Sequence, residues 1–205
     1  AIAYDPSRAD AVANLGLALA LTGHLEQAMP LSERALSMMR SEEEKARVRR
    51  VVAQTYVTNG RWHEARIKTP NAADPHEAAA VNAYAKAGTI DPTWAESSAR
   101  LALRLVWRGE SERAAELLER ALALAQPGDE SAIVRQLAVI AYLDQRELAR
   151  ERGQTEAAVN ACARACALDP VKCLPACLQP VRIDEADMAA DPGLGAQGGA
   201  PPAAA

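Results

Sequence analysis

The residues best placed to do chemistry are the chain's four cysteines, Cys162, Cys166, Cys173 and Cys177, spaced C-x3-C-x6-C-x3-C. Each pair lies one helical turn apart, and Asp169-Pro170 between the pairs reads as a turn, because proline disfavours helical geometry in the residue before it. Two chemistries fit. In an oxidising compartment the segment forms a hairpin closed by two disulfides, Cys162–Cys177 and Cys166–Cys173. Alternatively, four thiolates surround one tetrahedral zinc ion. The spacing differs from the usual C-x2-C pairs of zinc sites, and Pro175 disturbs the second helix. A third reading is structural: Cys162 and Cys166 fill small-residue packing positions, as alanine does elsewhere. The sequence leaves the connectivity open, no metal site is assigned beyond that alternative, and no cofactor is implied.

A second cluster is basic. Lys45, Arg47, Arg49 and Arg50 follow the acidic run Glu42, Glu43 and Glu44. Such a run is either the solvated face of a helix or one wall of a binding surface. Signs of catalysis are poor. His24, His63 and His76 fall in or near inter-helix turns, and His63-Glu64 lacks the second histidine of a zinc-protease pattern. Gly193, Gly195, Gly198 and Gly199 follow no strand that could support a phosphate loop. The chain is therefore expected not to be an enzyme.

Composition limits the scaffold that holds these residues. The chain has 205 residues, is 49% hydrophobic with no Phe and only 3% aromatic residues, and carries a net charge of −4. A core of Ala and Leu suits close helix–helix contact better than a β-sandwich. The charge argues against a general nucleic-acid binder. No apolar run approaches the roughly 18 residues of a membrane span, so a soluble protein of the cytoplasm or the periplasm is expected. Ala1 reads as lying inside a helix, which points to a native start further upstream.

Two signatures recur. A-x-x-apolar-D-P appears at Ala1 to Pro6, Ala87 to Pro92 and Ala165 to Pro170. The second is an apolar residue, then Gly four positions on, then Ala five further. It appears at Leu19/Gly23/Ala28, Tyr56/Gly60/Ala65 and Leu105/Gly109/Ala114, and degenerately at Ala149/Gly153/Ala158. Glycine supplies the positive φ that ends a helix, and the small alanine lets the second helix approach the first. Residues 14–36 are the clearest unit, two amphipathic helices joined at Thr22-Gly23.

These residues resemble the tetratricopeptide (TPR) repeat, an antiparallel helix pair of about 34 residues. The match rests on Leu15-Gly16, Leu19, Gly23, Ala28 and Ala35-Leu36, and again on Leu101-Ala102, Leu105, Gly109, Ala114, Leu118 and Ala121-Leu122. The resemblance implies an all-α, TPR-like α-solenoid of stacked antiparallel helix pairs. The array is irregular, because the glycines lie 37, 49 and 44 residues apart. Repeats are expected at residues 7–40, 41–92 (irregular), 93–126 and 131–170 (degenerate), within a domain spanning 1–180. The 49-residue gap reads as a second helix begun at 61–68, broken at Thr69-Pro70, and resumed from His76 to about Gly88. Residues 131–152 read as one long helix with Ile133, Leu137, Ile140 and Leu148 on one side. Ser41 to Glu44 and Thr93 to Glu96 have capping-box form, and Ser7 is a simpler N-cap. Residues 181–205 form a tail, expected to be disordered from about 191 because it cannot bury enough apolar surface.

Such an array lines its concave wall with the first helix of each pair. With Leu15, Val52 and Leu101 at the centre of the packing face, a helical projection puts Leu17, Leu21, Arg47, Arg50, Gln54, Glu96, Leu103 and Trp107 on the groove. An apolar wall with a basic middle suits another protein's peptide or helix, particularly an acidic one. No nucleic acid or membrane partner is expected, and an end helix offers a surface for homo-oligomers. Residues 14–21, 47–50, 59–66 and the helix at 77–88 are similar to the TPR accessory proteins of Flp (tight-adherence) pilus assembly. That similarity implies an envelope location and a role in building a secretion apparatus. Two other functions fit the sequence: a regulatory or substrate-presenting arm of a larger enzyme or transcription factor, and a redox- or zinc-responsive module.

Overall fold

Every regular element among residues 7–67, 74–125 and 128–177, which are those the computed structural model describes, is an α-helix. The helices are α1 (Ala9–Leu21), α2 (Leu25–Met38), α3 (Glu42–Glu64), α4 (Pro75–Ile90), α5 (Ala95–Trp107), α6 (Ser111–Leu124), α7 (Asp129–Glu151), α8 (Thr155–Leu168) and α9 (Pro170–Cys177). The first A-x-x-apolar-D-P copy, the helix expected at Ala1, the break at Thr69-Pro70 and the tail lie outside the described residues.

Three hairpins share one geometry. α1–α2, α5–α6 and α7–α8 each turn through three residues into a second helix of 14 residues. Each first helix ends on a glycine of positive φ, at +84° for Gly23, +79° for Gly109 and +68° for Gly153. The next amide closes the same bond every time: His24 N–H to Leu19 O (2.8 Å), Glu110 to Leu105 (3.0 Å) and Gln154 to Ala149 (2.9 Å). This is the Schellman motif, which satisfies carbonyls that a helix end leaves unpaired. The alanine five residues after each glycine, Ala28, Ala114 or Ala158, is buried.

The second copy of that signature behaves differently. Gly60 lies inside α3, which runs unbroken to Glu64, and Ala65 is exposed after its end. No helix begins at 61. The returning helix is α4, capped by Asp74, whose carboxylate accepts from His76 N–H at 2.8 Å, with Pro75 in the first turn. Gly60 serves close approach: a Cβ there would stand 2.4 Å from Tyr84 Cε1. The 49-residue gap is thus a longer first helix and a longer connection.

Ser41 caps α3 by accepting from Glu44 N–H (3.1 Å), and Glu44 accepts in turn from Arg40 N–H (3.0 Å). Thr93 caps nothing: the N-cap of α5 is Trp94 without a side-chain bond, and Thr93 donates its hydroxyl to Asp91 at 2.6 Å. Arg8, not Ser7, is the N-cap residue of α1.

Each helix packs on its chain neighbour, and α1 also packs on α3, α5 on α7 and α9 on α7. The one core runs through them, with Val12, Val48, Val52, Tyr84, Leu105, Val106, Leu118 and Val134 wholly buried. On α7 the buried side is Val134, Leu137, Ala138, Ala141 and Tyr142, whereas Ile133 and Ile140, expected on it, are 38% and 39% exposed.

Candidate functional site

A concavity of about 580 Å³ opens between α1 and α3 and is lined by Asp10, Asn14, Ala46, Arg47, Val48, Arg50 and Val51. Asp10 and Asn14 are one turn apart on α1, and Arg47, Arg50 and Val51 follow the same spacing on α3. Leu17 and Leu21 continue the α1 face and Gln54 continues that of α3. Leu17 is half-buried, and Leu21 and Gln54 are exposed.

The charges in this concavity are already paired, to different degrees. Arg50 Nε meets Asp91 Oδ2 at 2.7 Å, its guanidinium also donates to Thr93 Oγ1 (3.3 Å), and it stands 5.6 Å from the Trp94 ring centre. Arg50 thereby ties α3 to the α4–α5 turn. Arg47 is two-thirds exposed and only 3.8 Å from Glu43, so it is the cation more available to a ligand. Asp10 is held by Arg8 at 2.6 Å, and that hydrogen bond keeps its carboxyl below the usual range.

The groove residues expected on α5 are not brought to this concavity. Leu103 is 5% exposed and belongs to the core, contrary to its expected position. Glu96 accepts from Arg100 Nε at 2.7 Å, and half-buried Trp107 hydrogen-bonds Asp144 on α7. The physical reason is that α4, α6 and α7 all pack on α5. Ten of its thirteen residues are buried, so a helical projection finds no open face. Asp10 and Asn14 were missed on α1 because the projection was centred on Leu15, whereas the buried face of α1 is Val12, Ala13, Gly16 and Ala20; Val51 borders the buried centre Val52 of α3 and was passed over for its polar neighbours.

A polar network fastens α3, α4 and α5 beside Gly60. Glu64 accepts from the Tyr84 hydroxyl (2.5 Å) and Arg100 (3.3 Å), and pairs with Arg104 (3.5 Å). Arg104 also reaches Glu77, which is fully buried, at 3.4 Å. Burial raises the Glu77 carboxyl above its usual range, against the pull of Arg104, and one Glu77 oxygen and Arg104 Nε have no hydrogen-bond partner among the described residues. Burial, then the charge of Glu64, raise the Tyr84 phenol far above its usual value. His63 and His76, expected in or near inter-helix turns, lie in the last turn of α3 and the first of α4, half-buried with their Nδ1 atoms 3.0 Å apart, and burial lowers His63. The geometry of this network is that of a fastening between three helices.

The cysteines meet at the far end. α8 carries Cys162 and Cys166, α9 carries Cys173 and Cys177, and the structure joins Cys162 to Cys177 and Cys166 to Cys173. The Cα separations, 6.0 and 5.1 Å, lie in the range a disulfide spans. Cys173 is fully buried and its Sγ is 3.4 Å from that of Cys177. All four sulfurs lie within 4.8 Å of one another.

No protein-family model and no curated protein sequence matches this chain. Among the described residues no helix is long and apolar enough to cross a membrane.

Proposed function

We propose that the protein is a TPR-like helical-repeat adaptor that docks a segment of another protein, a peptide or helix, between α1 and α3. The observation that carries this reading is the concavity itself: an apolar floor of Val48, Val51 and Ala46, with Asp10, Asn14 and Arg47 at its rim. The thrice-repeated hairpin supports the repeat assignment, since stacked units leave a concave wall for ligands. A segment with apolar side chains at helical spacing and one carboxylate for Arg47 matches the lining. Assembly of a secretion or pilus apparatus is the narrower form of the proposal, supported by the similarity of the first half alone.

Capture from native lysate tests it. Because Arg50 is committed to Asp91, the charge test uses Arg47→Glu alone, and a second variant fills the groove with Asn14→Trp and Ala46→Trp, both at exposed positions. A protein retained by the wild type and lost from both variants, at unchanged helical content and melting temperature, is the expected result. Identical sets of retained proteins overturn the groove assignment.

A further inference from the structure

We propose that the α8–α9 hairpin is a redox-gated metal site. In the reduced protein, Cys162, Cys166, Cys173 and Cys177 hold one zinc-class divalent cation as four thiolates; in the oxidised protein the same sulfurs form the two disulfides. The argument is geometric. Four sulfurs at the corners of a tetrahedral zinc site stand about 3.8 Å apart, given Zn–S distances near 2.3 Å. Here all four already lie within 4.8 Å of one another. Two come from consecutive turns of α8 and two from consecutive turns of α9, so exchanging two S–S bonds for four metal–sulfur bonds requires the sulfurs to spread, not the helices to move apart. No carboxylate or imidazole joins the cluster among the described residues, and an all-thiolate set selects a soft or borderline ion over calcium or magnesium.

The rest of the hairpin shows what the site does. α9 has eight residues, an internal proline, and Val171 81% exposed. A helix that short does not persist by itself in water. Its hold on the fold comes from buried Cys173 and the sulfur links to α8. Disulfides are maintained in oxidising compartments and reduced in the cytosol, so a cation that replaces them keeps α9 docked under reducing conditions.

The interconversion balances. Each disulfide accepts two electrons and two protons from one dithiol reductant, which leaves as its own disulfide, so two equivalents of reductant yield four thiols. The cation displaces four protons to the buffer, and a site of net charge −2 remains. Oxidation by two equivalents of a disulfide oxidant reverses the step and releases the cation.

The experiment uses the full chain, reduced under anaerobic conditions and titrated with Co(II) as a spectroscopic probe, then with Zn(II). The expected result is one cobalt per chain with the absorption of a tetrahedral thiolate site, displaced by one zinc. A thiol-specific mercurial should then release one zinc for every four thiols titrated, and the oxidised chain should take up no cobalt. Cys173→Ser and Cys177→Ser should each weaken cobalt binding and lower the sulfur-to-cobalt absorption, since only three thiolates then reach the ion. Far-UV circular dichroism of the whole chain, lowered by no more than the eight residues of α9 contribute, separates loss of the site from loss of the fold. Less than one cobalt per reduced chain, an octahedral spectrum, or zinc release uncoupled from the thiols would each overturn the proposal.

Discussion

Replacing Gly60 by alanine separates two accounts of α3. In the interior of an exposed helix, Gly→Ala stabilises by about 1 kcal/mol. At Gly60 the added methyl would stand 2.4 Å from Tyr84 Cε1 and 2.8 Å from Cδ1 and Cζ. Tyr84 is fully buried and donates to Glu64 at 2.5 Å, so its ring cannot retreat without moving the phenol. Overpacking of this kind costs about 1–3 kcal/mol, and a hydrogen bond to a charged acceptor contributes about 1.5–3 kcal/mol. Subtracting the propensity gain leaves a net destabilisation of about 1.5–5 kcal/mol. For a chain of this size, that lowers the melting temperature by roughly 3–20 °C. Urea unfolding followed by circular dichroism provides the assay, and Tyr84→Leu completes a double-mutant cycle. The smaller side chain frees space for the methyl, so the double variant should be more stable than the sum of the single effects by about 2 kcal/mol. A stabilising Gly60→Ala, or an additive cycle, would refute the close approach. A turn glycine would also resist alanine, but Tyr84→Leu would not rescue it.

Three further outcomes follow from the same geometry. Arg104→Met strands the buried Glu77 carboxylate and should destabilise by about 3–5 kcal/mol at neutral pH, and by less in acid, where Glu77 is protonated. Because the folded-state pKa of Glu77 is raised above the unfolded value, the folded protein holds more protons in that interval. Its contribution to stability therefore falls as pH rises from the ordinary carboxylate range through the raised value. Urea midpoints across a pH series should show this fall in the wild type and lose it in Glu77→Gln. Gly23 has a φ of +84° and open space around its Cα, so Gly23→Ala carries a backbone cost alone, about 1–2 kcal/mol, and thermal melts should rank Gly23→Asn between it and the wild type. Asp91→Ala removes the Arg50 ion pair and both bonds from Thr93 and should cost about 1–3 kcal/mol in urea unfolding. Asp91→Asn, which can still accept from Thr93, should cost less.

The groove was half legible in the sequence, and the reasons are local to each helix. α3 has one polar side, so helical spacing found Arg47, Arg50 and Gln54 together. It could not show that Arg50 spends its charge on Asp91, 41 residues further on, because ion pairs between helices follow from packing alone. On α5 the polar residues Ser97, Ser98 and Arg104 are as buried as their leucines, so a projection centred on Leu101 could not tell that Leu103 faces the core. The cysteine hairpin was legible as a turn with thiols at helical spacing; which sulfurs meet depends on how α9 folds back on α8.

What the sequence determined by itself was local: alanine- and leucine-rich helices, the three positive-φ glycines that end them, the cap at Ser41 and the buried alanines of each crossing. These follow from backbone sterics and short-range hydrogen bonds, which act over a few residues. Tertiary structure alone decided the role of Gly60, where identical chemistry serves a helix crossing in place of a turn. Gly60 and Gly23 carry the same spaced signature, an apolar residue four before and an alanine five after. The difference is the ring of Tyr84, brought in by a helix 24 positions away, and only packing places it there.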